Sequence, residues 1–267
     1  MIIEKARVIS NSEIKLGYYF LRLFSPKMAE VAEPGQFAML RCSYNNTSDP
    51  LLRRPLSFHD ASWKKGEISF LYQVKGKGTK ELSRLVANGS ADVMGPLGTG
   101  FRLPKVSPGK RQPIAIIGCG VGVAPLVFLA STAHNRGYEV RTFIGARSES
   151  SLLVDPILVA KSSVLSTATE DGSAGYHGNI VSLLRNKESL VAECGPAYVC
   201  GPEAAMAAVV SLCTELGIPC QVSLESIMAC GVGACLGCTC NTTRSPNYTR
   251  VCTEGPVFDG EEVVFCD

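Results

Sequence analysis

Four cysteines near the end of the chain restrict its fold more than any other feature. Cys230, Cys235 and Cys238 are separated by four and by two residues, and Cys252 follows after thirteen more. This C-x4-C-x2-C…C spacing is typical of plant-type [2Fe–2S] ligation, in which four thiolates hold two irons. Glycines let a loop wrap closely around a cluster and aim its N–H groups inward; they stand at 231, 233 and 237. The spacing predicts that these four cysteines are cluster ligands.

Two other interpretations of the cysteines stay open at this point. A zinc site needs a tetrahedral set and usually draws on two short-spaced pairs, which the lone fourth cysteine fits less well. A purely structural role for the four cysteines is the other alternative, and it requires no particular spacing between them. Cys240 stands two residues after Cys238 and is predicted to lie outside the ligand set. The cysteines without a motif are interpreted as packing residues or incidental thiols: Cys42, Cys194, Cys213, Cys220 and Cys266.

Composition is typical of a globular protein from a reducing compartment. The chain has 267 residues, a formal net charge of +2 and no block of like charges, so it carries no electrostatic signal for nucleic acid. Twelve cysteines are too few for a disulfide-stapled scaffold of this length. Glu4 and Lys5 stand where a signal peptide needs apolar residues. We therefore expect a cytoplasmic location.

Residues 112–133 contain no charged side chain and have the length of a membrane span. Glycines at 118, 120 and 122 and the proline at 125 interrupt this stretch. The interruption predicts a buried strand, a glycine turn and a core helix instead of a span through a membrane.

Hydrophobic patterning divides the chain into three predicted domains, residues 1–105, 110–222 and 223–267. Short alternating apolar runs in the first domain indicate an antiparallel sheet or barrel. One helix is predicted there, with Thr79 as its N-cap and its end at Asn88-Gly89. The boundary to the second domain is placed at residues 104–113, where proline, glycine and lysine replace the apolar pattern.

Buried strands alternate with helices from residue 114 onward. This alternation predicts a parallel sheet with helical crossovers. Strands are predicted at 114–117, 140–144, 164–168, 198–200 and 221–224, and helices at 124–136 and 203–216. The predicted fold class is multidomain β plus α/β, with an antiparallel β-barrel, a parallel-sheet nucleotide-binding domain and a small C-terminal [2Fe–2S] domain.

A glycine run after the first of these strands indicates a phosphate site. Gly118, Gly120 and Gly122 open a helix, where backbone N–H groups can hold a pyrophosphate. The run departs from the G-x-G-x-x-G fingerprint because Val123 takes the third glycine position, and no acidic residue ends the next strand. A tight turn with close helix–strand packing remains the alternative.

Two segments of the first domain predict a second phosphate site. Arg54, at the start of R-P-L-S, offers a bidentate fork for phosphate. Gly78 and Thr79 offer N–H groups and a hydroxyl at a helix start. An ordinary turn and an N-cap explain these residues equally well.

Together these motifs carry a family resemblance that covers nearly the whole chain. They are R-P-L-S at 54–57, G-x-G-T at 76–79, G-P-L-G-x-G-F at 95–101, G-x-G-x-G-x-A-P at 118–125, C-G-P at 200–202 and the cysteine loop. The chain resembles the ferredoxin-reductase-type flavoproteins, and among them the electron-transfer subunits of NAD-linked dihydroorotate dehydrogenases. The resemblance implies an FAD-binding barrel, an NAD-binding α/β domain and a [2Fe–2S] domain.

The resemblance also implies roles for individual residues. Arg54 neutralises an FAD phosphate, and Ser57 hydrogen-bonds near the reactive nitrogen of the flavin. The other implied positions are Pro55 and Leu56 along the flavin, Leu71, Tyr72 and Gln73 beside its ring and ribityl chain, Gly78 and Thr79 at the FAD pyrophosphate, Gly118, Gly120 and Gly122 at the NAD diphosphate, and Cys200, Gly201 and Pro202 beside the nicotinamide. The family usually has glycine in place of Cys119. No side chain is expected to act as a catalytic acid, base or nucleophile.

The function implied by the resemblance is electron transfer in pyrimidine biosynthesis. Electrons pass from the FMN of a separate dihydroorotate dehydrogenase catalytic subunit through [2Fe–2S] and FAD to NAD+, and two copies of each subunit form a heterotetramer. Rivals are the flavin subunit of a cytosolic hydrogenase, an NADH-dependent ferredoxin–NADP oxidoreductase, and a non-enzymatic iron–sulfur redox sensor, which needs no flavin. NADP stays open because Arg147 follows the second strand of the α/β domain.

Overall fold

The structure, a computed structural model, describes residues 1–43, 49–105 and 113–265. Packing divides the chain into two units, each described here by itself. The first comprises Met1–Gly100, Glu225–Thr239 and Arg250–Pro256, and the second comprises Phe101–Leu224, Cys240–Thr249 and Val257–Asp267. The division into three domains stays a prediction. Most of its first boundary, at 104–113, lies outside the described residues, as does Cys266.

Seven antiparallel strands form the sheet of the first unit. They are β1 (Ile2–Lys15), β2 (Tyr18–Phe24), β3 (Phe37–Leu40), β4 (Arg54–Ser57), β5 (Asp60–Ser62), β6 (Glu67–Gln73) and β7 (Ser90–Leu97). Their order across the sheet is β4-β3-β7-β1-β2-β6-β5. Residues of β4 also contact β6, so the sheet curls towards a barrel. The predicted antiparallel first part is confirmed.

The core of this sheet comes from cross-strand pairs of apolar side chains. Leu21 lies opposite Phe70 and Leu23 opposite Ile68, and all four side chains are buried. Such pairs on one face are the unit by which a sheet is stabilised. Leu16, in the turn between β1 and β2, is 91% exposed and lies outside this core.

Two short helices accompany the sheet, α1 (Pro26–Val31) and α2 (Lys77–Leu82). The predicted bounds of α2 were wrong, because Thr79 is the third residue of the helix and not its N-cap. Its hydroxyl oxygen accepts a hydrogen bond from the backbone N–H of Gly76 at 3.2 Å, which makes Gly76 the N-cap. The helix ends at Leu82, well before Asn88, which has a φ of 65° and lies in a turn.

The second unit is built on a parallel sheet. Its parallel strands are β8 (Pro113–Cys119), β9 (Glu139–Ala146), β10 (Val164–Thr169), β11 (Tyr176–His177), β12 (Ala197–Cys200) and β13 (Cys220–Ser223). Its helices are α3 (Ala124–Asn135), α4 (Pro156–Lys161), α5 (Ile180–Asn186), α6 (Glu188–Ala192) and α7 (Glu203–Glu215). The predicted parallel sheet with helical crossovers is confirmed, with ends within three residues of those predicted for strands and helices.

The order of this sheet reverses once. From β8 the chain moves outward through β9, β10 and β11, then returns to place β12 on the other side of β8. In open α/β sheets, ligands bind at the carboxyl ends of the strands where the order reverses. The reversal between β8 and β12 thus marks an expected ligand site.

The cysteine-rich tail contains little regular structure. Strands β14 (Thr239–Asn241) and β15 (Tyr248–Arg250) form a two-stranded sheet, and β16 (Val257–Asp259) pairs antiparallel with β13. Residues 113–133 form β8, a 3-10 turn and part of α3, as predicted. Within the described ranges, no helix is long and apolar enough to cross a membrane.

Replacing Leu21 with alanine tests the core of the first sheet. Because Leu21 has no exposed surface, the Leu21→Ala substitution leaves a cavity and is expected to lower the free energy of unfolding by about 2–5 kcal/mol. Leu16→Ala, the same change at an exposed position, should stay within about 0.5 kcal/mol of the parent. Urea unfolding monitored by circular dichroism measures both, and equal effects would contradict this description of the core.

Candidate cofactor sites

The four cysteines of the spacing motif come together within the first unit. The thiol of Cys230 interacts electrostatically with that of Cys235, and the thiol of Cys252 interacts with those of Cys238 and Cys230. Cys238 and Cys252 are buried, whereas Cys235 is exposed. The chain folds back at β15 to bring Cys252 beside the loop, with the Val251 N–H bonded to the Cys238 carbonyl at 3.0 Å.

Backbone N–H groups donate hydrogen bonds to three of these four sulfurs. Val232 donates to Cys230 Sγ at 3.4 Å, Gly237 donates to Cys235 Sγ at 3.4 Å, and Gly233 donates to Cys252 Sγ at 3.2 Å. The Val232 N–H lowers the pKa of Cys230 to about 6, because it stabilises the thiolate. Burial acts in the opposite direction and raises the pKa of Cys252 to about 11.

The thiol arrangement fits a two-iron cluster. Two pairs of sulfurs supply two thiolates to each iron, and peptide N–H groups stabilise the negative charge on the sulfurs. A tetrahedral zinc site requires convergence on one point instead. In the parts of the chain that the structure describes, no three His, Cys, Asp or Glu side chains are grouped to hold a single ion. Cys240 lies in β14, two residues beyond Cys238.

The loop that carries Cys230, Cys235 and Cys238, called the cluster loop below, adopts backbone conformations that favour glycine. Gly231 and Gly233 have φ values of 71° and 79°, so both lie in the left-handed region. Leu236 has a φ of 57° between two of the cysteines and is half exposed. A leucine in this conformation is strained, and such residues cluster at functional sites. No feature of the sequence singled out Leu236.

The proposed flavin residues of β4 and α2 lie beside each other. A β-carbon built on Gly78 would be 2.5 Å from Arg54 Nε, so the Arg54 side chain passes directly over this glycine. Arg54 Nη1 donates to the Leu52 carbonyl at 2.7 Å. Thr79 uses its hydroxyl to cap the helix. The other residues of β4 are half-buried along the edge of the sheet: Pro55, Leu56 and Ser57.

The proposed flavin residues of β6 are mostly buried. Leu71 and Tyr72 have little exposed surface, and Gln73 is half-buried. The Tyr72 ring stacks on Tyr19 with 5.8 Å between ring centroids. The structure therefore brings these three residues to one strand but leaves mainly Gln73 accessible.

Asn11 connects two of the segments that are proposed to bind the flavin, and no sequence pattern singled it out. The Tyr72 hydroxyl donates to Asn11 Oδ1 at 3.2 Å. Asn11 Nδ2 in turn donates to the carbonyls of Leu82 at 2.9 Å and Leu85 at 3.2 Å, just at the end of α2. One side chain on β1 thus ties β6 to the helix that carries Gly78.

The two proposed NAD segments meet at the reversal point of the parallel sheet. Gly118 in β8 lies opposite Cys200 in β12, so both segments follow adjacent carboxyl ends. A β-carbon on Gly122 would lie 2.6 Å from the carbonyl carbon of Cys200. Gly120 has a φ of 55°, a conformation that favours glycine. Only a glycine at 122 allows the two turns to approach this closely.

Cys119 replaces a glycine without blocking this approach. A β-carbon on Gly201 would come within 2.7 Å of the Cys119 β-carbon, so the missing side chain at 201 makes room for the cysteine. Burial raises the pKa of the Cys119 thiol to about 12. Cys119 is therefore a neutral packing residue at the turn.

Comparison with known proteins supports the identification of the cluster loop. The family described as the iron–sulfur cluster binding domain of dihydroorotate dehydrogenase B matches residues 225–264. This range contains all four cysteines of the spacing motif.

Two solved structures share the fold. One, of an NADH-dependent reduced ferredoxin–NADP oxidoreductase, is 28% identical with a TM-score of 0.83, covering 97% of this chain and 90% of that one. A cytochrome P450 reductase from Amycolatopsis is 21% identical with a TM-score of 0.62, covering 79% and 65%. The second shows the fold alone.

Two curated relatives match over almost their full length. The electron transfer subunit of dihydroorotate dehydrogenase B (NAD(+)) from Desulforamulus reducens is 38% identical, covering 97% of each chain. The subunit of the same name from Clostridium acetobutylicum is 39% identical, covering 98% of this chain and 97% of its own. The chain belongs to the family of electron transfer subunits of NAD-dependent dihydroorotate dehydrogenase B.

Proposed function

We propose that this chain relays electrons between an FMN-containing dihydroorotate dehydrogenase catalytic subunit and NAD+ through a [2Fe–2S] cluster and FAD, in pyrimidine biosynthesis. The observation that carries the proposal is that backbone N–H groups of one loop donate to the sulfurs of Cys230, Cys235 and Cys252. When bound, FAD exchanges a hydride with nicotinamide and releases single electrons, which the cluster carries. The protein supplies binding and orientation.

In this proposal Cys230, Cys235, Cys238 and Cys252 would supply the four thiolates that hold the two irons. The N–H groups that contact the sulfurs offset the negative charge of the cluster. The buried half of the ligand set is Cys238 and Cys252, so the other pair, which contains the exposed Cys235, is the half nearer to solvent.

Arg54 is proposed to hold the FAD phosphates. It lies over Gly78, whose missing side chain leaves room for the guanidinium beside the start of α2, and a guanidinium offers a bidentate fork for phosphate. Gly78 and Thr79 complete the pyrophosphate site, Pro55, Leu56 and Ser57 line the flavin from the edge strand, and Leu71, Tyr72 and Gln73 border it from β6. The fit is supported by the proximity of Arg54 to Gly78.

The turn at Gly118, Gly120 and Gly122 is proposed to hold the NAD diphosphate. Its position at the reversal of the sheet supports this role. Cys200, Gly201 and Pro202 follow the adjacent strand and are proposed to border the nicotinamide. Arg147 is exposed at the end of β9 and leaves NADP as a second candidate for the same site.

The catalytic partner is proposed to contain FMN and to form a heterotetramer with two copies of this chain, located in the cytoplasm. The family name implies a separate catalytic subunit. A ferredoxin–NADP oxidoreductase remains the rival with similar architecture. Members of that class usually replace one cluster cysteine with aspartate, and the four cysteines here disfavour it. Two nucleotide motifs disfavour a flavin-free redox sensor.

Serine substitutions separate Cys252 from Cys240 as the fourth ligand. Cys252→Ser is expected to abolish the electron paramagnetic resonance signal of the reduced cluster and to lower the iron content, because one iron loses a thiolate. Cys240→Ser should leave both unchanged. FAD content in each variant controls for misfolding. A lost signal in Cys240→Ser, with an unchanged signal in Cys252→Ser, would reverse the assignment.

Matched glycine substitutions test the FAD phosphate site. Gly78→Ala places a β-carbon against Arg54 and is expected to weaken FAD binding at least tenfold, about 1.4 kcal/mol, as Arg54→Ala should also do. Gly76→Ala meets no atom within 4 Å and should bind FAD as the parent does. Flavin content after dialysis gives the measurement, with iron content as the control. Full FAD retention in Arg54→Ala would place the phosphate elsewhere.

The division of labour between subunits is tested with the isolated chain. We expect it to oxidise NADH with artificial electron acceptors, because it holds both nucleotide motifs. It should not oxidise dihydroorotate until the catalytic subunit is added, because no side chain in the sequence is expected to act as a catalytic acid, base or nucleophile. Dihydroorotate turnover by the isolated chain would show that the proposal is wrong.

A further inference from the structure

We propose that Arg250 is a positioning residue for the cluster, because its guanidinium holds Gly233 in the place from which Gly233 donates to Cys252. The proposal rests on the proposed set of cluster ligands. It concerns a residue outside the cysteine motif and outside the glycines that the loop needs for its turns.

The contacts form a short chain of hydrogen bonds. Arg250 Nη1 donates to the Gly233 carbonyl at 3.2 Å. The N–H of the same glycine donates to Cys252 Sγ at 3.2 Å. Gly233 has a φ of 79°, and without a β-carbon it is free to move unless its neighbours hold it. The guanidinium contact restricts the residue that supplies an N–H bond to the fourth ligand.

Arg250 is itself held in place by Glu254, which lies on the other side of Cys252 in the chain. Its Nε donates to Glu254 Oε2 at 3.0 Å, and its Nη2 donates to Glu254 Oε1. The same carboxylate accepts from the Arg250 backbone N–H at 3.0 Å and from the Thr253 hydroxyl at 3.0 Å. A bidentate arginine–carboxylate pair fixes the plane of the guanidinium. The segment around Cys252 therefore presents Nη1 to Gly233 in one orientation.

Exposure to solvent limits the contribution of the Arg250–Glu254 ion pair to folding stability. The Arg250 and Glu254 side chains are 37% and 42% exposed, and ion pairs this exposed contribute little to the free energy of folding. The third arm of the guanidinium reaches the cluster loop, where hydrogen bonds to sulfur adjust the reduction potential. The position of Arg250 thus fits a role in adjusting the reduction potential of the cluster.

The expected consequence is a change in reduction potential. Reduction adds negative charge to the cluster, and an N–H bond to a ligand sulfur stabilises the reduced state. Loss of the Arg250 contact lets Gly233 turn away and weakens that bond. The potential of the cluster is then expected to become more negative.

Two substitutions separate positioning from charge. Arg250→Lys keeps the positive charge but lacks the planar fork that bridges Glu254 and Gly233 together. Arg250→Gln removes both. Arg244→Gln is the control, because it removes an equal charge from an exposed arginine that is likewise paired with a glutamate, Glu262. The readouts are the midpoint potential from a redox titration followed by electron paramagnetic resonance, the shape of that signal, and the iron and FAD contents of the full chain.

We expect a more negative potential and an altered signal in both Arg250 variants, and parent values in Arg244→Gln. Loss of the cluster with FAD retained in either variant would also support the proposal, because the loop then no longer holds its irons. A parent potential in Arg250→Lys would overturn it, since charge alone would then suffice. Loss of FAD together with the cluster in both variants would overturn it in favour of a general role in folding. A parent chain without the cluster signal would instead refute the proposed ligand set, and the role of Arg250 with it.

Discussion

All three candidate sites depend on glycines, because at these positions other parts of the chain lie closer to the backbone than a β-carbon would allow. A β-carbon on Gly122 would lie 2.6 Å from the Cys200 backbone, and one on Gly78 would lie 2.5 Å from Arg54 Nε. In the cluster loop, a β-carbon on Gly231 would lie 2.8 Å from Met39 Cγ. Pyrophosphates and cluster sulfurs are both bound by peptide N–H groups, which side-chain bulk would hold away. The glycines therefore let neighbouring parts of the chain pack closely against the backbone at each candidate site.

The sequence predicted the parts of each site that are encoded locally. The spacing of the cysteines and the glycine run at the end of β8 are patterns of neighbouring residues; the structure brings the cysteines together and places the glycines at a strand-to-helix turn. Asn11 could not be predicted, because it bonds Tyr72 and Leu82, which are 61 and 71 residues away. A hydrogen bond across the sheet leaves no period or spacing in the chain. The start of α2 was missed because the capping hydroxyl belongs to the third residue of the helix and not to the residue before it.

The α/β unit shows how topology joins motifs that the sequence lists separately. Gly118 and Cys200 are far apart in the chain, yet they are direct partners in the register of β8 and β12. This pairing arises because the chain builds one side of the sheet before it returns to the other. The alternation of strands and helices predicted a parallel sheet but did not give the order of its strands. Only the structure therefore shows that the turns after β8 and β12 lie side by side.

Met39 links the cluster loop to the R-P-L-S segment at 54–57, which is proposed to bind the flavin, inside the first unit. In the register of β3 and β4 it lies opposite Pro55, the second residue of R-P-L-S. Its side chain is fully buried and packs against Gly231, next to Cys230. Methionine adapts to irregular gaps, which suits a contact between a regular sheet and an irregular loop.

Gly98 and Thr99 add a second attachment after β7, where the Thr99 N–H donates to the Gly255 carbonyl at 2.6 Å. Because both attachments belong to one compact unit, the spacing between the proposed cluster and the proposed flavin phosphate site is fixed by this sheet and its packed loop, whatever the arrangement of the nucleotide-binding unit.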